Sequence, residues 1–219
     1  MIKPRIPETD HGIQGEITVA QYDQMQRGFR DKGWMETPAL LKYGITRGQA
    51  LEIGHGPGYL GLEWLKQTTD SRLVGLDISP DMQALAQRNS LAYGLSGRAE
   101  YRLGSCDQLP FADNTFDAVF TKGSLHEWVN PCGAFDEIWR VLKPGGHYFI
   151  SDLRRDMKGW MHAFLWMGVR PAAMRPGLGT SIGAAYTPAE LLPMLVKTCL
   201  KEGKITGNRI GLEIFGTKG

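Results

Sequence analysis

The chain is poor in cysteine, and spacing pairs none of it. Cys106, Cys132 and Cys199 form no CxxC motif, so neither a disulfide framework nor a structural zinc site is expected. The five histidines are scattered without metal-ligand spacing, and no metal is expected. No apolar run approaches the ~20 residues that a bilayer crossing requires, which excludes stable membrane insertion. Neither sign of charge dominates: 25 Lys and Arg stand against 23 Asp and Glu, a net charge of +2. No basic face of the kind that reads nucleic acid stands out, so no nucleic-acid partner is expected. Met1, Ile2, Lys3, Pro4 and Arg5 are followed by polar residues rather than an apolar stretch. A secretory leader is therefore not expected, and a reducing, cytoplasmic setting is. Internal repeats and low-complexity segments are also missing.

What is present suits one globular domain. The 219 residues are 42% hydrophobic and 22% charged, enough to enclose a core. Residues 1–15 contain Pro and Gly and predict an extended arm. Helical patterns follow over 18–30 and 37–43. Short apolar runs over 49–53, 72–76, 98–103, 116–121 and 147–151 predict strands. Between them, Leu60, Trp64 and Leu65 share a helical spacing, as do Met82, Leu85, Ala86 and Tyr93, and Phe135, Ile138, Trp139 and Leu142. Ser79-Pro80 reads as an N-cap with proline at the first helical position, and Thr187-Pro188-Ala189-Glu190 as a capping box. Lys143-Pro144-Gly145-Gly146 is a turn. Residues 204–216 read as two strands forming a hairpin around Asn208. Strands that alternate with helices predict parallel crossovers, hence an α/β fold built on a mostly parallel sheet with helices on both faces.

In such sheets ligands gather beyond the C-terminal strand ends, where strand order reverses. The first of these loops reads Glu52-Ile53-Gly54-His55-Gly56-Pro57-Gly58. Its glycines permit positive φ and close backbone approach, and the following helix turns free N–H groups toward a ligand. A dinucleotide fingerprint would need glycine at 59, where Tyr59 stands. Glu52 would also sit unfavourably beside a pyrophosphate, and favourably beside a cationic sulfonium. An NAD-linked oxidoreductase and a non-catalytic binding module remain the alternatives.

With four later segments, this loop resembles the ordered motifs of class I S-adenosylmethionine (SAM)-dependent methyltransferases. The later segments are 75–79, 104–111, 114–119 and 140–146. The resemblance spans about residues 45–155 and is nearest the small-molecule branch of ubiquinone and menaquinone biosynthesis methyltransferases. It implies a Rossmann-like seven-stranded sheet with an antiparallel C-terminal hairpin, SAM as cofactor and a small-molecule acceptor. It also implies roles for residues. Glu52, Gly54, Gly56 and Gly58 would surround the methionine part, Asp77 would hold the ribose hydroxyls, and Ile78 would pack on adenine. Cys106 would offer its N–H to the ring. Ser105 stands where the family often has Asp, so Asp107 is the alternative side-chain partner. The backbone of Thr121 or Lys122 would meet the amino group. Asp77 could instead be a plain helix cap, Cys106 a small buried residue, and Asp117 a local backbone acceptor.

Methyl transfer asks for a base only when the acceptor carries a proton that must leave. His126, with Glu127 beside it, lies just past the fourth strand and is the candidate, unless it is a structural histidine. Acceptor recognition is expected from two covers, a helical cap over 1–48 and an insertion over 154–186, both within the one domain. Tyr22, Trp34, Trp128, Arg154 and Trp160 are the candidate acceptor contacts. Met157, Trp160, Met161, Phe164 and Met167 form a helical stripe that reads as core, as pocket lining or as a membrane-touching face. Arg154 and Arg155 could hold an acidic acceptor or pair with Asp152 and Asp156. The glycine-rich stretch 177–183 reads as a lid hinge.

Overall fold

A computed structural model describes residues 3–8 and 15–219. The described residues open with an arm over 3–8, which carries no helix or strand. The rest of the extended arm expected over 1–15 lies outside the described residues, apart from Gly15. Helices α1 (Glu16–Asp31) and α2 (Thr37–Lys42) follow. Then strands and helices alternate: β1 (Gln49–Ile53), α3 (Tyr59–Gln67), β2 (Arg72–Asp77), α4 (Pro80–Ala92), β3 (Ala99–Leu103), β4 (Phe116–Lys122), α5 (Pro131–Val141) and β5 (Leu142–Leu153). The chain closes with α6 (Gly159–Gly168), α7 (Arg175–Ala184), α8 (Pro188–Leu195), β6 (Lys204–Gly207) and β7 (Gly211–Thr217).

The seven strands form one sheet in the order β3-β2-β1-β4-β5-β7-β6. β1 to β5 run parallel, while β7 runs antiparallel to both β5 and β6. Strand order reverses between β1 and β4, so the loops leaving these two strands flank a crevice. The period of two along the central strands divides the core. Leu51 and Ile53 of β1, Val119 of β4 and Ile150 of β5 join Phe135 and Ile138 of α5 on one face. Ala50, Phe120 and Phe149 meet Leu60, Trp64 and Leu65 of α3 on the other. Trp64 is fully buried and donates its indole N–H to the Ile45 carbonyl at 2.8 Å, so its one polar atom is satisfied.

Local signals set several boundaries. Ser79 caps α4 by accepting from the Met82 N–H at 3.2 Å, with Pro80 in the first turn. Thr187 and Glu190 form the reciprocal capping box of α8. β5 starts earlier than expected, at Leu142, because that residue pairs with Phe116 across a register irregularity between Phe116 and Ala118. Gly145 in that stretch still takes φ +78, the turn that its sequence implied.

The stretch 177–183, read as a hinge, is instead helical within α7. Its terminal carbonyls are not left to solvent. The Ile6 N–H donates to Gly183 O at 3.1 Å, Arg5 Nε to Ala184 O at 2.6 Å, and Arg155 Nη1 to Ala185 O. Donors from distant parts of the chain thus serve the carbonyls that a helix end exposes.

Candidate functional site

At the strand-order reversal lies a cavity of about 290 Å³. Its floor is the loop leaving β1. Gly54 has φ +65, and a Cβ there would stand 2.1 Å from the Ser124 hydroxyl oxygen. Only glycine fits both constraints. The Gly54 N–H is anchored to Leu76 O at 2.8 Å, which ties the floor to the end of β2.

Asp77 ends β2 and faces this cavity. Its Oδ2 accepts the Gly56 N–H at 2.9 Å and its Oδ1 the Ser79 N–H at 2.9 Å. An ionised carboxylate has about four acceptor positions, so each oxygen keeps one for a ligand. Ile78, 40% exposed, continues the wall. Opposite lie Ser105, Cys106 and Asp107. The Ser105 hydroxyl donates to Asp107 Oδ2 at 3.2 Å and accepts the Asp107 N–H at 3.2 Å, a closed local turn. Burial, with Asp107 beside it, pushes the Cys106 thiol up to about 12, so it stays protonated and unreactive.

The remaining wall comes from the end of β4 and the 3-10 turn Leu125–Glu127, with Lys122, Glu127 and Trp128, and from Tyr22 of α1. Lys122 is paired with Glu36 at 2.8 Å. Burial pushes the Glu127 carboxyl up, His126 pulls it down, and Glu8, Asp152 and Asp77 push it up again, to about 7. Burial and the nearby Glu127 raise the Tyr22 phenol above its usual range, which keeps it a neutral donor.

His126 lies behind this wall and is 4% exposed. Its Nδ1–H donates to Asp152, at 3.0 Å to Oδ1 and 2.9 Å to Oδ2, and its Nε2–H to Glu8 Oε2 at 3.2 Å. Burial lowers its pKa, but Asp152 and Glu8 outweigh that and raise it to about 10. The same contact, with Thr180 and Ser181, holds Glu8 below the usual carboxylate range despite its burial. Glu8, His126 and Glu127 bring one ligand-type atom each within 4.8 Å of one another.

The family model described as a methyltransferase domain matches residues 51–150. The ubiquinone biosynthesis O-methyltransferase of Aliivibrio fischeri is 30% identical over 75% of this chain and 68% of its own length. This chain belongs to the class I SAM-dependent methyltransferase family. The ubiquinone/menaquinone biosynthesis C-methyltransferase UbiE of Geobacter sulfurreducens is 31% identical over 74% of the chain, of which the chain spans 64%. Among other curated relatives it spans as little as 33% of the relative's length. In fold, it is similar to a SAM-dependent methyltransferase structure from Methanococcus maripaludis. The TM-score is 0.72 at 22% identity, with 94% of this chain and 95% of that one covered.

Within this methyltransferase fold, the residues expected from sequence divide in two. Gly54, Gly56, Asp77, Ile78, Ser105, Cys106, Asp107 and Lys122 line the cavity, with Tyr22, Glu127 and Trp128. Others do not. Glu52 is 3% exposed and turns beneath the loop toward Gly61 in the first turn of α3, where a Cβ would meet its Oε2 at 2.3 Å. Burial pushes its carboxyl up to about 8 against the hydrogen bond from Gly61. Gly58 packs over the Tyr101 hydroxyl rather than facing the cavity, and Thr121 is fully buried in β4.

Four further expectations need correcting. His126 is not a free base: two carboxylates hold its proton. Trp34 is 52% exposed, with Lys32 over its ring, and does not line the cavity, although its carbonyl accepts from Lys122 at 3.4 Å. Arg154 makes a two-pronged pair with Asp156, at 2.6 and 2.7 Å, and donates to Asn208 O, away from the cavity. Trp160 projects outward from α6 at 58% exposure. The lining residues given no role from sequence are Ile53, Leu76, Met82, Gly104, Gly123, Ser124 and Val129. Of these, Ile53, Leu76 and Gly104 lie inside the motif segments, and Gly123 and Ser124 in the loop past β4, whereas Met82 and Val129 carried no signal for the site.

Proposed function

We propose that this chain transfers the methyl group of SAM to a small-molecule acceptor, working as one domain in the cytoplasm and without a nucleic-acid partner. The observation that carries the reading is Asp77. Each of its oxygens is steadied by one backbone N–H of the surrounding loops and keeps an acceptor position toward the cavity, which suits the vicinal hydroxyls of a ribose. The loop over 54–58 would cradle the methionine part. Ile78 would cover adenine, and the Cys106 N–H and Asp107 carboxylate would meet its edge. The backbone at Lys122 would receive the amino group.

SAM, when bound, supplies an electrophilic methyl carbon. The protein's task is then to hold the acceptor in line with it, which can contribute up to ~7–11 kcal/mol. Tyr22 and Trp128 are suited to that positioning. Glu127 is the group suited to take a proton from the acceptor, because its pKa of about 7 leaves it part ionised at neutral pH. His126 and Asp152 would fix the turn that carries it. The nicotinamide alternative is not favoured, since the relatives named above are methyltransferases.

The test is transfer of label from methyl-labelled SAM to fractionated metabolites. Label entering a low-molecular-mass fraction is expected. Label that stays on SAM in every fraction, or enters only nucleic acid or protein, contradicts the proposal.

A further inference from the structure

We propose that α6 and the cleft beside it form a docking surface for a lipid bilayer that carries anionic headgroups. This goes beyond the methyl-transfer reading and stands without it.

The first observation is an apolar face that the fold leaves uncovered. Of the ten residues of α6 only Met161 is buried. Trp160, Phe164 and Met167 recur at i, i+4 and i+7, so they share one side of the helix, at 58%, 56% and 62% exposure. Trp166 adds a second exposed indole at 38%. Large apolar side chains grouped this way mark a surface that meets something other than water.

The second observation is the charge around that face. No Asp or Glu occurs between Asp156 and Glu190, whereas Lys158, Arg170 and Arg175 do. A cleft of about 440 Å³ runs between α1 and the end of α6, lined by Phe29, Arg27, Arg30, Lys32 and Arg170, with Asp31. Arg27 and Arg30 are paired with Asp23 and Asp31. Lys32 lies over the Trp34 ring, and Arg170 donates to the Met167 and Val169 carbonyls, at 2.6 and 3.0 Å. Among the described residues, Lys32, Lys158 and Arg170 therefore carry charge that no carboxylate balances.

Exposed tryptophan and phenylalanine flanked by lysine and arginine suit the boundary between headgroups and acyl chains. Ten helical residues extend only ~15 Å, so α6 would lie along that boundary and not cross it. The charge also selects the occupant. A second copy packed through this face by two-fold symmetry would bring Lys158 and Arg170 toward their own like charges, whereas an anionic bilayer supplies the opposite sign. α6 packs on α7, and α7 on the turn that carries Glu127, so docking would seat a bilayer on the elements behind the cavity.

The experiment is cosedimentation of the whole chain with phosphatidylcholine vesicles, alone or with about one third phosphatidylglycerol. We expect binding to the mixed vesicles, weakening as salt rises, and at least roughly tenfold less to phosphatidylcholine alone. Phe164→Ser with Met167→Ser, both exposed, should lower binding about tenfold with an unchanged melting temperature. Lys158→Glu should lower it at least about fivefold. Absence of binding to either vesicle overturns the proposal. So does binding that the folded double variant retains in full. A dimer that the double variant splits, in a parent that ignores vesicles, also overturns it and assigns the face to a second copy.

Discussion

Asp152 grips His126 twice, accepting its main-chain N–H at 2.7 Å and its Nδ1–H at 2.9 Å through the same Oδ2. With Glu8 on the far nitrogen, the imidazolium sits between two carboxylates from the N-terminal arm and the end of β5. His126→Ala would leave both facing each other without a cation, which should cost about 3–5 kcal/mol of stability. The folded pKa of about 10 lies above the ordinary 6.5. The histidine's contribution is therefore complete below pH 6.5 and lost as pH rises through 10. Urea unfolding from pH 6 to pH 10 should show that decline in the parent and not in His126→Gln.

Glu127 gives a prediction on rate. As a base it must be ionised, so turnover should rise as pH passes upward through about 7. Glu127→Gln should remove that limb and lower kcat by roughly 10²-fold to 10⁴-fold with a proton-bearing acceptor. Its affinity for S-adenosylhomocysteine should stay unchanged. Steady-state rates from pH 5.5 to 8.5 decide it, and a profile unaltered in the variant removes Glu127 from the chemistry.

Glu52 bears on stability in the opposite way to most carboxylates. Burial lifts its pKa from 4.5 to about 8, so the folded state keeps a proton that the unfolded chain gives up. Stability from this group is complete below pH 4.5 and falls as pH rises toward 8, by at most about 1.4 kcal/mol per pH unit. Glu52→Gln should flatten that slope and melt higher than the parent at pH 8. Equal melting at pH 5 and pH 8 for both proteins would argue against a protonated Glu52.

Gly54→Ala adds a Cβ 2.1 Å from the Ser124 oxygen at a φ of +65. The strained backbone alone should cost on the order of 1–3 kcal/mol. Pairing it with Ser124→Gly should restore melting in part, since the clash goes and the positive φ remains. Differential scanning calorimetry of the single and double variants reads this directly.

The parts of the fold legible in the sequence are those set by neighbours in the chain. Ser79 with Pro80, the Thr187 and Glu190 box, and the apolar run of β1 carry their own instructions within a few residues. Gly54, Gly56 and Asp77 could be set beside one crevice from sequence because strand ends and turns place them. What stayed hidden depends on distant partners. His126 could be read as a base or as a structural histidine, and its sequence could not choose because Asp152 and Glu8 stand far from it in the chain. The glycines of α7 looked like a hinge because the arm's Arg5 and Ile6, which serve its last carbonyls, lie far upstream. The stripe of α6 had the right period for a core helix. Period alone does not say whether a partner covers the apolar side, and here the side is bare.

The account rests on Asp77 as the ribose acceptor, and titration calorimetry with S-adenosylhomocysteine tests that most directly. The parent should bind with measurable heat. Asp77→Asn keeps the shape but loses the charge and one acceptor; it should bind at least about tenfold more weakly, and melt somewhat below the parent because the Gly56 or the Ser79 N–H loses its partner. A parent that gives no heat, or a folded Asp77→Asn that binds equally well, would contradict it.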